Sequence, residues 1–265
     1  MKERITTALI LGIGALIILL LSGLPLVMEL TAAALAVMGV FELLRTTGAE
    51  VSRAGVYISL GSAALIPLIP MRHYSQGMLF LYPAALVLFL ALMGALRRGR
   101  KLRAPVVTVI GVVIALFARG AVELRKEGLW YLLAALAVCV LTDSAAFFVG
   151  RGLGRHKLAP RISPHKTVEG ALGGVLCAVA LVVLGVGLFS PGEVPYARLL
   201  VWALSSSLLA QFGDLSLSTV KRMAGVKDFG TLLPGHGGIL DRFDSCLFVL
   251  PYTVLFLSLA GGFLG

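Results

Sequence analysis

Apolar segments long enough to cross a membrane occupy most of this chain and limit its fold more than any other feature. About 17–25 apolar residues span the hydrocarbon core of a bilayer as an α-helix. Hydrophobic residues make up 58% of the sequence and charged residues 14%, a composition that is typical of integral membrane proteins and unlike that of soluble domains. The nine predicted spans are residues 5–23, 25–41, 55–71, 77–96, 104–118, 128–150, 168–189, 199–220 and 244–264.

Basic residues are distributed unevenly between the two sides of these spans. If the spans alternate in direction, the N-terminus and every second loop share one side, and 18 of the 23 Lys and Arg residues fall there. The positive-inside rule then predicts a cytoplasmic N-terminus and a C-terminus outside. We therefore expect an all-α integral membrane protein with about nine transmembrane helices. Because topology explains most of the net charge of +10, no nucleic-acid partner is expected.

Polar residues suited to chemistry are concentrated in the second half of the chain. We predict an N-terminal group of about five membrane helices, residues 1–127, and a C-terminal catalytic group of about four, residues 128–265. Cytoplasmic loops at 151–167 and 221–243 join the catalytic helices.

Acidic side chains within the spans are rare. Apart from Glu29, near the start of the second span, they are confined to Asp143 and Asp214. An ionisable group inside a membrane is costly and therefore indicates function. Helical spacing places four polar residues on one stripe of the eighth span: Gln211, Asp214, Ser218 and Lys221. A hydrogen-bonded seam between helices would explain the serines of this span, but it explains Asp214 poorly.

Two further aspartates, Asp241 and Asp244, stand three residues apart near the start of the ninth span. They would share a face if that helix begins near Asp241, although Asp at a helix N-terminus can also serve as a cap. Together with Asp214 they would repel one another unless a cation lay between them. Oxygen ligands of this kind favour Mg²⁺.

The loop ahead of these aspartates contains PGHGG, residues 234–238, which cannot form a stable helix. Glycines allow backbone N–H groups to approach a phosphate closely. His236 in this loop could be a base, a phosphate donor or an ordinary loop residue. Four basic side chains add positive charge: Lys221, Arg222, Lys227 and Arg242.

A second basic loop reads VGRGLGRHKLAPRISPHKTVEG, residues 149–170. Its glycines lack the spacing and the preceding strand of a dinucleotide-binding fingerprint. The segment Ser163–Thr167 followed by Glu169 predicts a turn and a capped helix start, which would also be an anion site. Alone, this loop fits ordinary positive-inside charge. Beside an acidic site on the same face, a triphosphate site is the better interpretation.

These two stretches resemble the phosphatidate cytidylyltransferases, also called CDP-diacylglycerol synthases. The resemblance is carried by STVKR at 218–222, KD at 227–228 and LPGHGGILDRFD at 233–244, and by residues 142–170. It covers roughly residues 140–250, whereas the first 127 residues share only hydrophobic helices. His165 departs from the lysine or glycine expected there, but Lys166 remains.

The resemblance implies an enzyme of phospholipid biosynthesis that makes CDP-diacylglycerol and pyrophosphate from CTP and phosphatidate with Mg²⁺. It implies a homodimer in the cell membrane with its active site facing the cytoplasm. Expected catalytic residues are Asp214, Lys221, Asp241, Asp244 and His236. Expected metal ligands are Asp214, Asp241 and Asp244, with Ser218 as a further ligand, while Asp143 would order the site or hold a second, monovalent or divalent, cation. Expected substrate-binding residues are Lys166, Ser163, Arg151, Arg155, Lys157, Arg222, Lys227, Arg242, Gly237 and Gly238. Phe229 and Phe243 are considered for the cytosine ring.

Two other functional classes fit part of the pattern. A cation-coupled transporter would also have intramembrane acids and an interrupted helix, but its site would lie near the midplane rather than at one face. A CTP-dependent polyisoprenol kinase would transfer the γ-phosphoryl group and leave CDP. The identity of the product separates the kinase from the cytidylyltransferase.

Overall fold

The computed structural model describes residues 2–47, 51–189, 193–233 and 237–264. Within these ranges the chain forms nine α-helices and one small antiparallel sheet. The helices are α1 (Lys2–Leu21), α2 (Val27–Thr47), α3 (Arg53–Leu65), α4 (Tyr74–Arg97), α5 (Ala104–Glu127), α6 (Leu129–Leu153), α7 (Val168–Phe189), α8 (Tyr196–Met223) and α9 (Leu240–Ala260). The strands are β1 (Lys157–Ala159) and β2 (Ser163–Thr167).

Every predicted span overlaps one of these helices. Seven of them, α2 and α4 to α9, are long and apolar enough to cross a membrane. Helix α3 has 13 residues and continues only into a 3₁₀ turn at Ile66–Leu68, and the apolar part found in α1 is Gly12–Leu21. The chain is therefore a multi-pass, mainly α-helical membrane protein. The count of nine spans, the sides of the termini and the two-part division of the chain stay predictions.

Helices α5 and α2 extend furthest beyond the predicted ends of their spans. Helix α5 continues to Glu127, so the prediction that its span ends at residue 118 is too short. The extension is compatible with burial because Arg119, 1% exposed, pairs with Glu123 one turn later and donates to the carbonyl of Pro67 at 2.5 Å. Helix α2 continues past residue 41, which places Glu42, 3% exposed, inside the bundle.

Helix α9 is central to the packing of the bundle. It contacts α8 and α5 extensively, and α6, α4 and α2 as well. Helices α6 and α7 form the most extensive pair, and α5 also packs on α2 and α3. The start of α9 is therefore enclosed by helices from both halves of the chain.

The sheet corrects the all-α prediction for the loop between α6 and α7. Residues 157–167 form a hairpin in which Lys157 lies opposite Thr167 and Ala159 opposite Ser163. The expected helix begins at Val168, as its predicted span does, and the predicted cap is confirmed, since Thr167 Oγ1 accepts from the Gly170 N–H at 3.1 Å. Strand pairing satisfies backbone groups that a loop would leave to water.

Candidate active site

The polar stripe of α8 contacts α7, the hairpin and α9. Gln211 Nε2 donates to the carbonyl of Ala171 on α7 at 2.9 Å, and Ser218 Oγ donates to Asp214 Oδ1 at 3.2 Å. Ser207, which precedes this stripe in α8, forms a hydrogen bond between helices, since its Oγ lies 2.8 Å from Thr142 Oγ1 on α6. The hydrogen bond to α6 and the acidic site thus occupy successive parts of α8.

Lys166 at the end of the hairpin forms an ion pair with Asp214. The contact joins β2 to α8 across a cavity of about 400 Å³ that is bordered by α6, α7, α8 and the hairpin. Asp143, Arg151 and Gln211 also line this cavity. Acidic and basic groups therefore meet in one polar space at the end of the bundle.

Asp143 and Asp244 are linked through Ser245. Ser245 Oγ donates to Asp143 Oδ2 at 3.0 Å, and the Ser245 N–H donates to Asp244 Oδ1 at 2.8 Å. Asp143 and Asp214 also line the same cavity. The structure thus brings together Asp143, Asp214 and Asp244 from three different helices.

Close approach of α8 and α9 makes this arrangement possible. A Cβ atom at Gly213 would lie 2.7 Å from the carbonyl oxygen of Asp244 and 2.7 Å from the ring of Phe248. Any larger residue would separate the two helices. Glycine next to Asp214 therefore sets the spacing between the acids of α8 and α9.

Asp241 has a different set of partners. Its Oδ1 accepts from Lys221 Nζ at 2.7 Å, and both side chains are more than nine-tenths buried. Its Oδ2 accepts from the N–H groups of Phe229 and Gly238, at 2.8 and 3.0 Å. Asp241 thus holds the loop ahead of α9 through two of its backbone N–H groups. It does not act as the predicted cap, since the N-cap position of α9 is Ile239 and has no side-chain cap hydrogen bond.

The fit of these side chains to Mg²⁺ depends on their chemistry. Among the described residues, no group of three or more His, Cys, Asp or Glu side chains is arranged to hold a metal ion. Lys166 and Lys221 supply the positive charge next to Asp214 and Asp241 instead. The donors of Asp143, Asp214 and Asp244 are nevertheless the oxygen ligands that Mg²⁺ prefers. The donor set fits the ion, and the assignment of individual ligands stays a prediction.

The remaining predicted substrate residues occupy several environments. Arg222 is engaged with backbone, since its guanidinium donates to the carbonyls of Ile162 and Val226, each at 2.8 Å. Gly237 has a positive φ of 83°, and Ser163 pairs with Ala159 in the hairpin. The exposed side chains are Arg151, Arg155, Lys157, Lys227 and Arg242. His236 lies outside the residues that the structure describes.

The two aromatic residues considered for cytosine have separate surroundings. Phe229 is 1% exposed, and the Lys221 ammonium lies 5.5 Å from the centre of its ring. Phe243 lines an apolar cavity together with residues of α1, α2, α5 and α6. The base-binding residues therefore stay unassigned.

Sequence analysis missed Glu42 and Ser245, which both contact this region. Glu42 accepts from the N–H groups of Ile239 and Leu240, and Ser245 links Asp143 to Asp244. Glu42 comes directly after the predicted second span, so extending that span by one turn would have revealed a further intramembrane acid. Ser245 gives no comparable signal, because a hydroxyl in a membrane helix often bonds its own backbone.

Comparison with known proteins gives a match over nearly the whole chain. Residues 2–260 match the model of the family described as "Cytidylyltransferase family".

Individual relatives match a shorter segment. The chain is 45% identical over 156 residues to a phosphatidate cytidylyltransferase of Bacillus subtilis (strain 168), an alignment that covers 58% of each chain. It is 50% identical over 135 residues to a phosphatidate cytidylyltransferase of Staphylococcus saprophyticus, which covers 51% of this chain and 52% of the relative. A Staphylococcus aureus (strain COL) protein of the same name is 49% identical over 135 residues. These alignments span about half of the length of the relatives.

Proposed function

The chain belongs to the cytidylyltransferase family, and on this premise we propose that it is a phosphatidate cytidylyltransferase. It transfers the cytidylyl group of CTP to phosphatidate and releases pyrophosphate, which makes CDP-diacylglycerol for phospholipid biosynthesis. Relatives that bear this name support the proposal.

One structural observation carries the proposal. The Lys166–Asp214 ion pair spans a cavity of about 400 Å³ where the hairpin meets the membrane helices. A lipid phosphate and a nucleoside triphosphate both carry negative charge, and a site for both needs cations and a boundary with the bilayer. Arg151 and Lys166 supply the cations, and apolar lining residues such as Phe147 support a position beside the bilayer.

Cytidylyl transfer from CTP to phosphatidate requires no covalent intermediate on the protein. A phosphatidate oxygen forms a bond to the α-phosphorus of CTP, the α–β phosphoanhydride bond breaks in line, and pyrophosphate leaves. The attacking phosphate is already largely ionised near neutral pH, so it needs no strong base. Lys166 and Arg151 neutralise phosphate charge and bring the two anions together, which lowers the barrier by orientation and electrostatic stabilisation.

Mg²⁺ would be held by carboxylates of Asp143, Asp214 and Asp244, with Ser218 and Asp241 as further oxygen donors. The ion would neutralise phosphate charge in the transition state. Lys166 then exchanges its contact with Asp214 for one with substrate phosphate. Lys221 keeps Asp241 and the loop ahead of α9 in place.

The proposed orientation follows from the charge distribution. Nine spans with the N-terminus in the cytoplasm place the hairpin and residues 221–243 on the cytoplasmic side, where CTP is available. This arrangement corresponds to a protein of the bacterial cell membrane, given bacterial relatives. The family resemblance supports a homodimer.

The proposal is tested by following label from CTP into product. Purified protein in detergent is incubated with phosphatidate, Mg²⁺ and CTP labelled separately at the α and γ phosphates. We expect α-label in lipid and γ-label in pyrophosphate. The Asp214→Asn variant should lose at least about 100-fold in rate, since it removes a charge that contacts Lys166 in the cavity.

The matched control is Glu193→Gln, the same carboxylate-to-amide change at an exposed position ahead of α8. It should keep the wild-type rate. γ-Label in lipid would identify a kinase instead. Absence of label from every lipid tested would contradict a transferase and favour the transporter.

A further inference from the structure

Helix α2 carries a stripe of three residues that contacts the loop ahead of α9. Gly39, Glu42 and Thr46 follow at steps of three and four, so they share one face of the helix. Leu240 packs on Gly39, where an added Cβ would lie 3.3 Å from Leu240 Cδ1. Thr46 Oγ1 donates to the carbonyl of Phe229. The first half of the chain therefore contacts the segment that carries Asp241.

Glu42 is the polar centre of this stripe. Its Oε1 accepts from the Ile239 N–H at 3.0 Å, and its Oε2 accepts from the Leu240 N–H at 2.9 Å. The residue is 3% exposed, and no ion pair involves it within the described part of the chain. A buried carboxylate is costly unless it is compensated. The N–H groups and the positive dipole end of α9 provide that compensation.

Two glycines of the loop ahead of α9, Gly230 and Gly238, also pack closely against the Glu42 carboxylate. A Cβ atom added at Gly230 would lie 2.7 Å from Glu42 Oε1, and one added at Gly238 would lie 2.5 Å from Glu42 Oε2. The N–H of Gly238 also donates to Asp241 Oδ2. Glu42 and Asp241 therefore bind N–H groups of three consecutive residues, 238–240.

We propose that Glu42 is a positioning residue that couples the N-terminal helices to the active site. By accepting both N–H groups at the start of α9, it fixes the first turn of that helix. The first turn in turn sets where Asp241 and Asp244 lie. This inference rests on the proposed cytidylyl transfer for its kinetic readout, but not for its structural one.

The test compares Glu42→Gln with Glu29→Gln in the same helix. An amide in place of the Glu42 carboxylate offers only one acceptor oxygen, so one buried N–H loses its partner. We expect kcat/KM for CTP, measured per folded enzyme, to fall about 10- to 100-fold, because a displaced first turn of α9 misplaces Asp241 and Asp244. Amide hydrogen exchange in residues 228–244 should rise, while exchange in α6 and α7 stays unchanged.

Two further variants keep the test decisive if Glu42→Gln does not fold. Glu42→Asp retains both acceptors and the charge, and should recover part of the lost kcat/KM. Thr46→Val removes the hydroxyl contact with Phe229 and should raise exchange in the same segment, by less than Glu42→Gln. Glu29→Gln should change neither quantity, since its carboxylate has no hydrogen bond or ion pair to the described residues.

A purely structural role gives a different result. The melting temperature would then fall, while the folded Glu42→Gln enzyme kept wild-type kcat/KM and wild-type exchange in residues 228–244. That outcome overturns the proposal. If the wild-type enzyme itself transfers no label, the proposed function fails, and hydrogen exchange alone decides the role of Glu42.

Discussion

Single side chains at this site are held by partners on other elements. Lys221 on α8 contacts Asp241 on α9, and only 9% and 5% of these side chains are exposed. Removing one member of a buried ion pair leaves an uncompensated charge, which costs more than the pair contributes. We therefore expect the loss of either residue alone to destabilise the site more than the loss of both.

A double-mutant cycle measures this dependence. We expect Lys221→Met to lower the free energy of unfolding by about 3–5 kcal/mol, because the Asp241 charge loses its cation. The double variant Lys221→Met/Asp241→Asn should lose at least about 1 kcal/mol less than the sum of the two single losses, since the effects of contacting residues are not additive. The measurement is unfolding in detergent followed by circular dichroism.

The matched control for this cycle is Lys101→Met, the same change at an exposed position between α4 and α5. Its effect should stay within about 0.5 kcal/mol. Additive losses from Lys221→Met and Asp241→Asn would show that the two side chains act independently, contrary to our expectation.

Among the elements, the hairpin has the most specific attachment. Arg222 of α8 donates to the carbonyl of Ile162 in its turn, and the Glu169 carboxylate of α7 accepts from the Arg155 N–H at 3.0 Å. Gly154 allows the chain to leave α6 close to Thr167. These contacts place Lys166 at the cavity, so the position of a whole element determines the position of one predicted substrate-binding side chain.

A pair of glycine substitutions tests this dependence. A Cβ atom at Gly154 would lie 2.6 Å from Thr167 Oγ1 and closer still to the Gly150 carbonyl, whereas one at Gly152 would meet no atom within 4 Å. We expect Gly154→Ala to displace the hairpin, to increase hydrogen exchange in residues 155–167 and to reduce cytidylyl transfer by about 10-fold or more, from an overpacking cost of about 1–3 kcal/mol. Gly152→Ala should match the wild type in both measurements. Equal behaviour of the two variants would refute this role of the hairpin.

On the scale of the whole molecule, the length of the apolar helices and the basic residues between them together determine the orientation in the membrane. Helix α4 is 24 residues long and separates Arg72, on one side, from the cluster RRGRKLR at 97–103 on the other. A helix of this length rises about 36 Å, more than the roughly 30 Å of the hydrocarbon core. The two exposed flanks of α4 must therefore face opposite sides if α4 spans the membrane.

Labelling in intact cells tests the proposed orientation. Single cysteines are introduced as Arg72→Cys and Lys101→Cys after Cys139, Cys177 and Cys246 have been replaced by alanine. The positive-inside rule predicts that a membrane-impermeant maleimide labels the Arg72→Cys variant in intact cells and the Lys101→Cys variant only after permeabilisation. The reverse pattern would invert the topology and place the hairpin outside.

The sequence by itself determined the membrane class, the approximate positions of the helices and the polar stripe of α8. Apolar length and helical periodicity are local properties, so they can be recognised without knowing what packs against them. The same periodicity placed Asp214 and Lys221 on one face, and both have partners in the site. Thr167 as a cap was likewise readable from neighbouring residues.

Only the tertiary structure decided which of these residues meet. Lys166 contacts Asp214 across 48 residues, and Glu42 binds the N–H of Leu240 across 198. The hairpin was unpredictable because its short strands carry no strong alternation of polar and apolar residues. Contacts of this kind depend on how closely helices approach, as at Gly213, and no local pattern in a sequence reports that distance.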